Sequence, residues 1–176
     1  MTSKPAPVAV HRGGPPDARP SDCVGALLIL VGLAVMVGWL ADIPLLVQLS
    51  PDWVPMQFNT ALGLLALGIA VVSMGRNGRN AMSVAAGALL LLACATLAQY
   101  IFGIDLGIDE AIVRHRITVG TSHPGRMAPN TALCFLLSAC ALLLVAGGHR
   151  VQRRDLAAQV LGLLVLVLSS TALLGY

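Results

Sequence analysis

The stretch MQFNTALGLL, Met56 to Leu65, stands where a polar loop gives way to an apolar run, and it returns downstream as MAPNTALCFL, Met127 to Leu136. Aligned on their methionines, the copies match Asn59 with Asn130, Thr60 with Thr131, Ala61 with Ala132, Leu62 with Leu133 and Leu65 with Leu136. Identity over NTAL, followed by apolar matches in phase, points to internal duplication. The segments before each copy agree: one closes GWLADIPLL and the other QYIFGIDLG, so Trp39 pairs with Tyr100 and Ile43 with Ile104. Each aromatic falls where a membrane interface would hold it. A repeating unit therefore consists of an outward helix, an outer loop and an inward helix opened by NTAL.

Composition places these units in a bilayer. The chain of 176 residues is 57% hydrophobic and 11% charged, with a mean hydropathy of +0.84. A soluble domain lies far from these values. Aromatics make up only 4%, and the apolar mass of Leu, Ala, Val and Gly suits packed transmembrane helices better than a β-barrel with aromatic girdles. The expected fold is thus an all-α integral membrane protein.

Five runs are long enough to cross roughly 30 Å of hydrocarbon: residues 23–41, 60–74, 82–102, 131–147 and 156–175. The second and fourth are short unless the NTAL residues join their first turns. Residues 1–22 hold five prolines and almost no large apolar side chain, so a disordered cytoplasmic tail is expected there. A cleaved leader is disfavoured because Trp39 is too bulky two residues before a cut after Ala41. Cys23, Cys94, Cys134 and Cys140 fall in or beside apolar runs and read as small packing residues.

The charges orient the chain. Lys4, Arg12, Arg19, Arg76, Arg79, Arg150, Arg153 and Arg154 share one side, whereas the other has only Arg114, Arg116 and Arg126 among its acidic residues. The positive-inside rule puts the amino terminus and the short connections in the cytoplasm, and the longer loops and the carboxyl end outside. The fifth run closes SSTALLGY, with Gly175 and Tyr176 where the third run has Gln99 and Tyr100. The last unit is therefore incomplete: either the third unit has decayed or, as expected here, a third loop and a sixth helix follow Tyr176.

Two roles are open to the motif residues. Asn and Thr at a helix start can cap its free N–H groups. Alternatively, two helix mouths on one outer surface, lined by Asn59, Thr60, Asn130 and Thr131, form a ligand-binding pocket for an anion or a polar headgroup. The second outer loop also contains Asp105, Asp109, Glu110, His115, His123 and Met127. Their spacing matches no metal motif, and Arg114, Arg116 and Arg126 would repel a cation, so they read as solvated loop residues. Isoleucines 104, 108 and 112 have the spacing of a surface helix, but Gly103 and Gly107 oppose one.

No HExxH, GxSxG, CxxC or phosphate-binding glycine loop occurs, and the apolar interiors hold no ionisable group, which disfavours an enzyme and an ion-coupled carrier. No catalytic residue, metal or cofactor is expected. The lipid bilayer is the first partner; cytoplasmic output domains or partner helices come next, and nucleic acid is not expected. Small residues at four-residue spacing, Ala66 with Ala70 and Cys134 with Ser138, serve helix contacts within one chain or in a homodimer.

The stretches MQFNTALGLL, MAPNTALCFLL, YIFGIDLGIDE and LLGY resemble the amino-terminal multi-spanning sensory regions of bacterial sensor histidine kinases and diguanylate cyclases. The resemblance covers Cys23 to the end. It implies a sensory input module, non-catalytic by itself, followed by a sixth helix and cytoplasmic PAS, kinase or GGDEF domains. A small standalone membrane protein acting as scaffold or subunit is the alternative.

Overall fold

The computed structural model describes residues 19–48, 50, 53–114, 117, 123–147 and 152–174, and in the last of these segments the side chains of 155–171. Most of the tail expected to be disordered, His115, Arg116, Arg150, the side chains of Arg153 and Arg154, and the closing Gly175 and Tyr176 lie outside them. Every regular element among the described residues is a helix: α1 Pro20–Leu40, α2 Pro44–Val47, α3 Phe58–Gly75, α4 Arg79–Phe102, α5 Pro129–Ala146 and α6 Gln152–Leu174. Four of them, α1, α3, α4 and α5, are long and apolar enough to cross a membrane, whereas α6 has a shorter apolar stretch, Asp155–Thr171.

Each long helix begins two to four residues before its apolar run, because a first turn has free N–H groups and tolerates polar residues near water. Pro20 and Pro129 open α1 and α5, where a proline costs no hydrogen bond. Both copies of NTAL lie inside the helices, so α3 and α5 reach 18 residues each. Isoleucines 104, 108 and 112 form no helix. Gly103, in the left-handed region at φ 61°, ends α4, and Gly107 follows at φ 68°.

The long helices associate as antiparallel pairs, α1 with α3 and α4 with α5, each tied at both ends by the same kind of bond. At one end Arg19 donates to the carbonyl of Gly75, and Arg79 donates from Nε and Nη2 to the carbonyl of Ala146 at 3.1 and 2.8 Å. These arginines satisfy carbonyls that the end of a helix leaves unpaired. At the other end Trp39 Nε1 donates to the Met56 carbonyl at 2.8 Å, and the Tyr100 hydroxyl to the Met127 carbonyl at 3.1 Å. The α3–α4 contact joins the pairs, and α6 packs on α5.

Small residues set the spacing within the first pair. A Cβ on Gly32 would lie 2.7 Å from the Ala61 carbonyl oxygen, and one on Gly68 would lie 2.7 Å from that of Gly25. Both obstacles are backbone and cannot swing aside, so the helices touch main chain to main chain. In the second pair Ala86, Leu89, Ala93, Ala132, Phe135 and Ala139 are buried to 4% exposure or less. The four cysteines are free. Gly32→Ala and Gly68→Ala are each expected to lower stability by about 1–3 kcal/mol through overpacking. Gly87→Ala, where an added Cβ meets nothing within 4 Å, should be neutral or stabilising. Equilibrium unfolding in mixed micelles, with wild type alongside, measures the difference.

Candidate functional site

Asn59 and Asn130 are the second residues of α3 and α5, and Thr60 and Thr131 the third, so the two motifs enter their helices in the same register. They do not supply the cap residues: Gln57 and Ala128 hold those positions without a side-chain cap bond. The capping expectation is corrected for Asn59, which lies two positions inside the cap. It is 4% exposed, and its Nδ2 donates to the carbonyl of Ile108 at 3.0 Å. Asn130 is exposed, and its Oδ1 accepts from the Thr131 N–H at 2.9 Å. Thr60 and Thr131 are half-buried. The four residues therefore have unequal surroundings, one asparagine sealed under a loop and the other open.

The sealing loop is the long connection from Gly103 to Ala128. Its centre is an ion pair between Arg126 Nε and Asp109 Oδ2 at 2.7 Å, with side chains only 8% and 9% exposed. Gln99, fully buried in the last turns of α4, donates from Nε2 to both carboxylate oxygens at 3.0 and 3.1 Å. Its Oε1 accepts from the Leu106 N–H at 2.8 Å. The Arg126 guanidinium also lies 5.4 Å from the centre of the Tyr100 ring, and the His123 ring meets that ring in a T-shaped arrangement at 6.0 Å. Such contacts distribute the charge of an arginine removed from water.

Asp109 and Arg126 are thus not solvated loop residues, and Met127 is fully buried. The backbone cooperates: Gly125 takes φ 77°, and a Cβ there would overlap the Asp109 carbonyl. The loop also reaches the first pair. Val113 and Ile117 pack on the cluster of Val35, Trp39, Val47, Phe58 and Ala61. One loop consequently touches α1, α3, α4 and the entry to α5.

The chemistry available is that of a clasp. Among the described residues no three histidine, cysteine or carboxylate side chains converge as a metal site would need. Glu110 and Asp105 are exposed, and the Asp105 carboxylate accepts from the Gly107 N–H at 2.8 Å. A groove of about 440 Å³, lined by Met74, Leu142, Val145, Asp155 and Gln159 among others, lies at the opposite end of the bundle. Sequence reasoning missed Gln99. Its signal was an amide in an otherwise apolar final turn, but nothing in the linear order tied it to Asp109 rather than Asp105.

No family model matches the chain, nor does any curated protein or solved structure.

Removing either partner of the buried pair leaves the other charge without compensation. Asp109→Asn and Arg126→Gln are each expected to cost about 3–5 kcal/mol. The double variant, which leaves no net buried charge, should lose less than the sum of the two. Thermal unfolding of the purified protein in one detergent, run as a double-mutant cycle, gives the coupling directly.

Proposed function

We propose that this chain is the membrane-embedded sensory region of a bacterial signal-transduction protein, non-catalytic by itself, with the long loop as the part that receives the stimulus. One observation carries the reading: a single loop is bonded to helices of both pairs, through Ile108 to Asn59 and through Asp109 to Gln99. A change in that loop acts on both pairs at once, which an input module needs in order to move helices against one another. Of the stretches resembling sensory regions of histidine kinases and diguanylate cyclases, MQFNTALGLL contains Asn59 and YIFGIDLGIDE contains Ile108 and Asp109.

In this reading the amino terminus and the arginine-bearing turns face the cytoplasm of the inner membrane, and the loop faces outward. The chain crosses five times, with α6 as the first helix of a third unit. Duplication is supported by the two tied pairs, in which equivalent bonds recur at equivalent positions: Trp39 to Met56 and Tyr100 to Met127. The polar ligand pocket is reduced to the open mouth around Asn130 and Thr131, since Asn59 is engaged.

Two measurements test this. A phosphatase reporter fused after Leu174 should be active outside the cytoplasm and one fused after Gly147 inactive; the reverse pattern would refute the topology. In membranes carrying the chain with its native downstream sequence, Asn59→Ala should shift kinase or cyclase output by about fivefold or more, the scale of a coupling of roughly 1 kcal/mol. A reading frame encoding no output domain, or an output indifferent to this substitution, leaves the scaffold or subunit reading.

A further inference from the structure

At the end of the bundle away from the long loop, α3 and α6 both pack on α5 but do not meet each other. Between them lies the groove of about 440 Å³, with α5 as its floor. Its volume falls within the range of about 300–1,000 Å³ typical of ligand sites. Leu142, which is buried, and the small side chain of Ala141 form the base, while Met74 and Val145 are exposed along the sides. These walls suit a hydrocarbon tail better than water.

The α6 side of the groove is polar. Asp155 and Gln159 both line it and are exposed, and their four-residue spacing puts them on one face of the helix. Asp155 opens the apolar stretch Asp155–Thr171, whereas Gln159 lies inside it, about 6 Å deeper along the axis. The helix dipole accounts for a carboxylate in the first turn. It does not account for an amide further in, which in hydrocarbon needs a bonding partner. Neither side chain has a hydrogen bond or ion pair among the described residues. A cation stands where α5 closes: the exposed Arg79 donates from Nε and Nη2 to the carbonyl of Ala146, next to Val145. Those bonds leave further guanidinium donors unused.

We propose that this groove binds one phospholipid with a primary-amine headgroup, of the phosphatidylethanolamine type. One acyl chain lies over Ala141 and Leu142, between Met74 and the α6 side. The ammonium donates to the Asp155 carboxylate, the phosphate faces the Arg79 guanidinium, and Gln159 Nε2, deeper in the membrane, donates to an ester carbonyl. Charge complementarity selects this occupant, because a tail, an anion and a hydrogen-bonding cation are joined in one molecule. A choline headgroup has no donor for Asp155, and a glycerol headgroup brings no cation to it. The site depends on the helices lying in a bilayer and not on the sensory reading.

Native mass spectrometry tests it, on the chain extracted from vesicles of equal parts phosphatidylethanolamine, phosphatidylcholine and phosphatidylglycerol. One ethanolamine lipid should be retained about tenfold more than either competitor, the scale of a charge-assisted hydrogen bond. Asp155→Asn should abolish that preference. Gln159→Leu should weaken retention of all three lipids alike, and Val145→Trp, which fills the slot, should lower it further. Circular dichroism and thermal unfolding in lipid-free detergent check that each variant folds as the wild type does. Should Asp155→Asn fail to fold, Asp155→Ser repeats the test, and retention by the wild type decides the headgroup in any case. Equal retention of the choline lipid overturns the proposal, as does an ethanolamine preference that survives loss of the carboxylate. Preferred retention of phosphatidylglycerol also refutes it and assigns lipid contact to the arginines alone. A dimer that carries no lipid refutes it too, placing a second copy in the groove.

Discussion

The ion pair between Arg126 and Asp109 governs the end of the bundle where its helices begin and finish. An arginine and an aspartate each less than a tenth exposed carry a desolvation cost that their mutual attraction offsets only if the remaining donors and acceptors are filled. Gln99 donates to the carboxylate, and the Tyr100 ring lies against the guanidinium. Because Gln99 and Tyr100 belong to α4 while Arg126 closely precedes α5, the pair fixes how α4 leaves the bundle and how α5 enters. The loop between them is held by charge, not by regular structure.

Along the shafts a different constraint operates. In lipid there is little hydrophobic gain from pressing two helices together, so contact area and close approach decide which helices pair. Gly25, Gly32, Ala61 and Gly68 let α1 and α3 meet at their backbones, and alanines on α4 and α5 make the second seam. Arginines at one end, bonded to the last carbonyls of α3 and α5, and aromatics at the other, bonded to the Met56 and Met127 carbonyls just before those helices, then prevent the helices of a pair from sliding. The signal-transducing reading depends on this division: rigid pairs, joined by a loop whose polar bonds are few enough to be changed.

An apolar chain with two similar entrances also raises the question of which entrance is available. That of α3 is occupied by the neighbouring loop and acts as structure. That of α5 has an exposed asparagine and proline. Only the second motif leaves its asparagine exposed, although the motifs are nearly the same in letters.

Hydropathy alone determined that the chain is helical and membrane-like and located each long helix to within a few residues, because roughly 20 apolar residues in a row have few other stable forms in a bilayer. The NTAL copies likewise identified where α3 and α5 begin. What the letters could not decide was the fate of the polar residues. Asn59 and Asn130 are followed by the same residues in sequence, yet one is sealed and the other open, since burial depends on which distant segment folds over them. Asp105 and Asp109 look interchangeable, but only Asp109 meets Gln99 and Arg126. That choice is made by left-handed glycines at 103, 107 and 125, which turn the loop so that residues far apart along the chain share one dry pocket of charge. Periodicity reports how a segment meets its solvent, whereas the partner of a buried polar group is a property of the tertiary fold.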